Sequence, residues 1–227
     1  SVILPDTLKH MDEECFRDCV MLKTVDINGE LTTISRYCFY GCRNLTDIVF
    51  GDRIRKTLKF VGVKAFAKCY SLEVVDFSEL SVLSQMGEKT FGECESLTTV
   101  KFPESLIKIP NRCFEECSNL SVLTLLSKEP TELGEFVFGD EVSAFIHLWV
   151  QDDILSDYIS AYTPILDEEY GDGTTAAILG VIDDDKEIIQ GVTYIKNEDG
   201  SWVLTDVSPD FSGDFKVPKT TVKIADE

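Results

Sequence analysis

Histidine is almost missing from this chain of 227 residues: His10 and His147 are the only two. Neither stands in an H-E-x-x-H pattern or beside a nucleophile and an orienting acid, which removes the usual imidazole-based metal and hydrolase sites. Long apolar runs are missing too. The longest candidates, AAILGVI from Ala176 and FIHLWV from Phe145, fall well short of the roughly 18 residues of a membrane span, so no membrane insertion by this segment is expected. Basic residues are in deficit, with 21 Lys and Arg against 41 Asp and Glu and a formal charge of -20. That charge repels phosphates and anionic head groups and excludes nucleic acid as a partner. The chain opens at Ser1 without a charged-then-apolar leader, so any signal peptide is expected to have been removed or left out.

The deficit is uneven. From Asp167 onward there are 15 acidic and 5 basic residues, an excess of ten that is half of the whole. This contrast divides the chain at about residue 166.

What the first part has in abundance is repetition. The phrases CFRDCVMLKTVDI, CFYGCRNLTDIVF, AFAKCYSLEVVDF, TFGECESLTTVKF and CFEECSNLSVLTL recur with their phenylalanines at 16, 39, 66, 91 and 114, at intervals of 23, 27, 25 and 23 residues. Six other apolar columns align on these anchors. Three residues after the anchor stand Cys19, Cys42, Cys69, Cys94 and Cys117, and six after stand Leu22, Leu45, Leu72, Leu97 and Leu120. A pair of columns at nine and eleven, exemplified by Val25 and Ile27 or Val100 and Phe102, has the two-residue step of a strand. Two upstream columns begin at Leu8 and Met11. One coil cannot bury seven inward side chains alone, whereas stacked coils place each column on itself, so a solenoid is required.

These columns resemble the BspA-like type of leucine-rich repeat over about residues 2–127. The degenerate stretch PTELGEFVF through IHLWVQDDILSDYISAY extends the resemblance to about Leu166. The resemblance implies a right-handed leucine-rich-repeat solenoid of strand-and-turn coils. It further implies a secreted or surface-anchored, non-catalytic protein, as in gut and oral bacteria, that takes part in adhesion. The chain departs from the pattern one residue before the anchor, where Cys15, Cys38, Ala65, Thr90 and Cys113 replace a uniform alanine; all are small.

The expected organisation is five full repeats, a degenerate sixth repeat with a capping helix over about 128–166, and a β-rich segment over 167–227. In the sixth repeat the cysteine and leucine columns become Glu141 and Ala144. The helical spacing of Ile154, Leu155, Tyr158, Ile159 and Tyr162 marks the cap. In the last part AAILGVI, EIIQGVTYIK, SWVLTDV and FKVPKTTVKI read as a small β-meander, with Asp199-Gly200 at a tight hairpin. The closing VPKTTVKIADE aligns with LPDTLKHMDEE at residues 4–14, as though a further repeat array were beginning.

All eight cysteines fall in two inward columns, so buried thiols are expected rather than bridges or zinc ligands. The acidic clusters Asp152-Asp153, Asp167-Glu168-Glu169 and Asp183-Asp184-Asp185 lack the spacing of a calcium loop and read as solvated charge. No catalytic residue, cofactor or metal site is expected.

A ligand surface, if the array has one, follows from strand alternation: the outward rows lie between the buried columns. They are Thr24, Asp47, Val74, Thr99 and Val122, and Asp26, Val49, Asp76, Lys101 and Thr124. The expected partner is a protein or glycan of a host or neighbouring cell, with the overall acidity favouring a basic one. The alternative is a spacer solenoid that holds another domain away from the cell envelope.

Overall fold

The computed structural model describes residues 1–140 and 146–171 together with the backbone of five later strands. Along the chain come β1 (Val2–Leu4), β2 (Thr24–Ile27), β3 (Thr33–Ile34), β4 (Asp47–Phe50), β5 (Phe60–Val61), β6 (Val74–Asp76) and β7 (Gln85–Met86). Then come β8 (Thr99–Phe102), β9 (Lys108–Ile109), β10 (Val122–Leu125), β11 (Glu132–Leu133) and β12 (His147–Gln151), and α1 (Leu155–Tyr170) follows. We number the coils by their anchors, from Phe16 in coil 1 to Phe138 in coil 6.

The array is a solenoid. Its longer strands stack in parallel on one face as β1-β2-β4 and β6-β8-β10-β12, pairing column on column: Val25 with Ile48, Val75 with Val100, and Val100 with Leu123. The short strands make a second face as β3-β5-β7 and β9-β11. β1 has no anchor of its own, yet Val2 and Leu4 pair with Val25 and Ile27 and continue the two inward strand columns.

Between the strand faces runs a third face of multiple turns, whose backbone is a ladder. In coil 1 the N–H groups of Glu14, Phe16 and Asp18 donate to the carbonyls of Arg36, Cys38 and Tyr40 in coil 2, and the same pattern repeats from coil to coil. Two residues four apart in a turn enter the left-handed region for this, as Glu14 and Asp18, Lys64 and Lys68, and Lys89 and Glu93 do, with φ between 51° and 63°. Beneath the turns the anchor rings stack at centroid separations of 5.2, 5.4, 5.8, 5.7 and 6.4 Å from Phe16 to Phe138. The cysteine column has a polar reason as well as a steric one. The thiols of Cys42, Cys69, Cys94 and Cys117 donate to the carbonyls of Phe16, Phe39, Phe66 and Phe91 at 3.0–3.3 Å, which alanine cannot do.

Two expectations are corrected here. The cysteines are not all interior: six are buried, but Cys15 and Cys19 are exposed. They lie in coil 1, where the column has a neighbour on one side only, and Phe16 is half-buried for the same reason. The helix is longer than the sequence pattern, running to Tyr170, four residues past Leu166. Glu141 and Ala144 lie outside the described residues.

The helix closes the stack with side chains aimed at backbone groups. Tyr158, Tyr162 and Leu166 are buried; the Tyr162 hydroxyl donates to the Thr131 carbonyl at 2.7 Å and that of Tyr158 to Glu129 at 3.1 Å. The turn ladder ends here too. The Phe136 N–H donates to the Glu169 carboxylate at 3.0 Å and the Phe138 N–H to the Tyr170 hydroxyl at 3.1 Å. Replacing Tyr162 by phenylalanine strands a buried carbonyl, and we expect it to cost about 1–3 kcal/mol, read as a lowered urea midpoint; a midpoint unchanged from the parent would deny the hydroxyl this role.

Beyond α1, β13 (Leu179–Asp183) pairs in parallel with β12 and so extends the long-strand sheet. The strands β14 (Lys186–Ile189), β15 (Val192–Lys196) and β16 (Trp202–Val207) then follow in antiparallel order, and β17 (Thr221–Ile224) lies parallel to β16. The hairpin expected at Asp199-Gly200 lies outside the described residues.

Candidate functional site

Alternation along β2, β4, β6, β8 and β10 turns the ten expected residues to one face. In register, Thr24 stands beside Asp47 and Asp26 beside Val49, while Val74, Thr99 and Val122 form one line and Asp76, Lys101 and Thr124 another. The two rows are nevertheless not continuous. Among the described residues no ladder pairs β4 with β6, so the long-strand face is divided into a coil 1–2 part and a coil 3–6 part.

The division traces to the two longest repeat intervals. After β4 the chain spends its extra residues on a single 3-10 turn, Ile54–Lys56, which buries Ile54, and after β6 it inserts a turn that buries Leu80. Arg55 holds the two insertions together: its Nε donates to the Phe50 carbonyl at 3.0 Å, its guanidinium meets Glu79 at 2.6 Å and Asp52 at 3.3 Å, and its carbonyl accepts from Ser81 N–H at 2.9 Å.

At this seam a cavity of about 350 Å³ opens. Its floor is apolar, from Ile48, Val49, Phe50 and Leu80, and its polar wall is Arg55, Asp76, Ser78 and Glu79. Asp76 is fixed by the N–H and hydroxyl of Ser78, at 2.9 and 2.5 Å, and lies 3.8 Å from the ammonium of Lys101. Of the ten residues, the exposed ones are Asp47, Val49, Val74, Asp76 and Lys101, with Val49 and Val74 at 50% and 52%. Thr24, Asp26, Thr99, Val122 and Thr124 are half-buried, and one carboxyl oxygen of Asp26 is buried without a hydrogen-bond partner.

Arg55, Ser78 and Glu79 were not reached from the sequence. The signal was present as intervals of 27 and 25 residues where neighbouring coils take 23.

The site offers acceptors, one guanidinium and a greasy floor, an arrangement suited to holding a side chain or a small polar group. His10 is exposed and bonded to Asp12 at 2.8 Å in coil 1, far along the stack from His147 in β12, whose imidazole pKa is lowered by burial. Burial likewise pushes the Cys38 and Cys42 thiols up to about 12, away from the thiolate a nucleophile needs. Among the described residues no three His, Cys, Asp or Glu side chains gather as metal ligands do, and no described helix is long and apolar enough to cross a membrane.

Residues 1–82 and 53–151 match the profile of the BspA type leucine rich repeat region, in six copies. No curated protein sequence matches the chain significantly. Among solved structures, a leucine rich repeat protein of T. pallidum is 25% identical, covering 61% of this chain and 75% of that one at a TM-score of 0.44. A leucine rich cell surface protein of Faecalibacterium prausnitzii A2-165 is 17% identical over 96% of this chain and 57% of its own, with a TM-score of 0.43. The pneumococcal vaccine antigen PcpA is 14% identical over 80% of this chain and 41% of that one, and its TM-score of 0.57 shows a shared fold alone. The chain thus spans little more than half, or less, of the latter two.

Proposed function

Because the chain belongs to the BspA-type leucine-rich-repeat family, we propose that it is a non-catalytic binding module of a cell surface or secreted protein. It recognises a protein or glycan through the long-strand face. The observation that carries this is the seam: exposed outward residues, Val49 and Asp76 among them, line an open cavity with an apolar floor and a carboxylate-bearing wall. Apolar surface rimmed by charge is the usual anatomy of a recognition patch. The carboxylates of Asp47, Asp76 and Glu79 outnumber the cations beside them, so a basic group of the partner fits the wall.

The test is a binding screen of the chain against extracellular-matrix proteins, mucin and glycan arrays at physiological salt. It is followed by joint replacement of Asp47, Asp76 and Lys101 with alanine. We expect a partner found this way to lose about tenfold or more in affinity, with the melting curve unmoved because the three side chains lie outside the core. Affinity unaltered by the triple replacement would remove the strand face from consideration, and silence across the panel would leave the array as a spacer.

A further inference from the structure

The turn face of coils 2 and 3 carries a charge pattern opposite to that of the whole chain. Residues 31–46 and 53–72 contain no Asp or Glu and eight Lys or Arg, in a chain whose acidic residues outnumber its basic ones 41 to 21. Coils 2 and 3 present four of these cations on their turns: Arg36, Arg43, Lys64 and Lys68. They are interleaved with tyrosines. Arg36 lies over the Tyr37 ring at 5.0 Å, Arg43 over Tyr70 at 5.6 Å and Lys68 over Tyr40 at 5.7 Å, while Arg17 of coil 1 reaches both Tyr37 and Tyr40 at 5.5 and 5.1 Å.

Stacking on a ring restrains a guanidinium and leaves its N–H edge directed outward, so part of the ordering cost of binding is met before a partner arrives. The bordering coils supply carboxylates to some of these cations: Glu13 to Arg36 at 3.4 Å and Glu93 to Lys68 at 3.2 Å. Arg43 and Lys64 have no carboxylate within ion-pair distance among the described residues. A planar guanidinium fork matches a carboxylate in bidentate fashion. Tyr37 and Tyr40 each already carry two cations, which leaves little open ring for a sugar to stack on.

We propose that the turn face of coils 2 and 3 is a second interaction surface, distinct from the strand face, which takes an acidic, Asp/Glu-bearing protein segment. The net charge of the chain does not forbid this, since at physiological salt fields decay over about 8 Å and the nearest charges decide.

Poly-L-glutamate is the probe, and its binding to the chain is measured at about 0.15 M and about 1 M NaCl, beside heparin. We expect saturable binding to polyglutamate that high salt abolishes. Arg43→Glu with Lys64→Glu lowers it by about tenfold or more, while the Asp47, Asp76 and Lys101 replacement leaves it unchanged. Circular dichroism melting checks folding, and Arg43→Gln with Lys64→Gln carries the test if the charge reversal unfolds the chain. Absence of binding, binding indifferent to both Arg43/Lys64 pairs, or preference for heparin over polyglutamate would each overturn the proposal. Since the strand-face variant is scored separately, failure of one surface does not imply failure of the other.

Discussion

Raising the pH past about 9 is expected to unfold the array steeply. Burial pushes the thiols of Cys38, Cys42 and Cys117 up to about 12 and those of Cys69, Cys94 and Cys113 well above their ordinary value. In the unfolded chain a thiol loses its proton near pH 8.5. Above that pH the unfolded state binds fewer protons than the folded one, so stability falls as pH rises; below it the contribution is fully present. One such thiol removes at most roughly 1.4 kcal/mol per pH unit, and several acting in the same direction weigh heavily against a domain stability of about 5–15 kcal/mol. The midpoint should therefore fall progressively once the pH passes the ordinary thiol value. Urea midpoints taken from pH 7 to 10.5 read this directly, and Cys69→Ala with Cys94→Ala should flatten the slope by a third. A midpoint that does not fall by pH 10.5 would mean the column is wet. Iodoacetamide gives the companion measurement, with Cys15 and Cys19, the exposed pair, labelled in the native state and the other six only on denaturation.

The second large effect is expected at Phe66. Its ring is fully buried and lies between Phe39 at 5.4 Å and Phe91 at 5.8 Å. Truncation to alanine removes the ring and leaves a void that stacked coils on both sides cannot fill, at a cost of about 3–5 kcal/mol. Because each coil leans only on its neighbours, the loss should be local as well as large. Hydrogen exchange should quicken first at the amides of Phe39 and Phe66, which donate to Ala65 and Thr90 across the damaged layer. Phe16, stacked on one side and half-buried, should cost less than half as much on truncation. Equal losses at Phe16 and Phe66 would show that the column does not act through stacking.

The solenoid was legible because repetition forces the same answer at equivalent positions. Phe39, Phe66 and Phe91 are buried for one reason repeated, and so are Leu45, Leu72 and Leu97. What repetition does not encode was hidden where it breaks. β1 was invisible because Val2 and Leu4 precede any anchor. Cys15 and Cys19 read as interior because a column in sequence does not say how many neighbours it has in space. The outward direction of Asp47, Val74 and Lys101 followed from strand alternation. The seam did not follow, since it depends on how Ile54 and Leu80 pack beneath two insertions whose lengths alone were visible. Glu169 looked like one member of a solvated acidic run and instead receives the Phe136 N–H.

That last bond has a consequence for the whole stack. Every turn donates its N–H groups toward the following coil, so the peptide dipoles of the third face add along the solenoid axis as they do along a helix. The stack has a sense, its N–H groups directed from coil 1 toward coil 6, where the Glu169 carboxylate receives the Phe136 N–H as a counter-charge. Whole coils exchanged within the middle of such a stack preserve its sense, whereas two arrays joined carbonyl end to carbonyl end would meet as like poles.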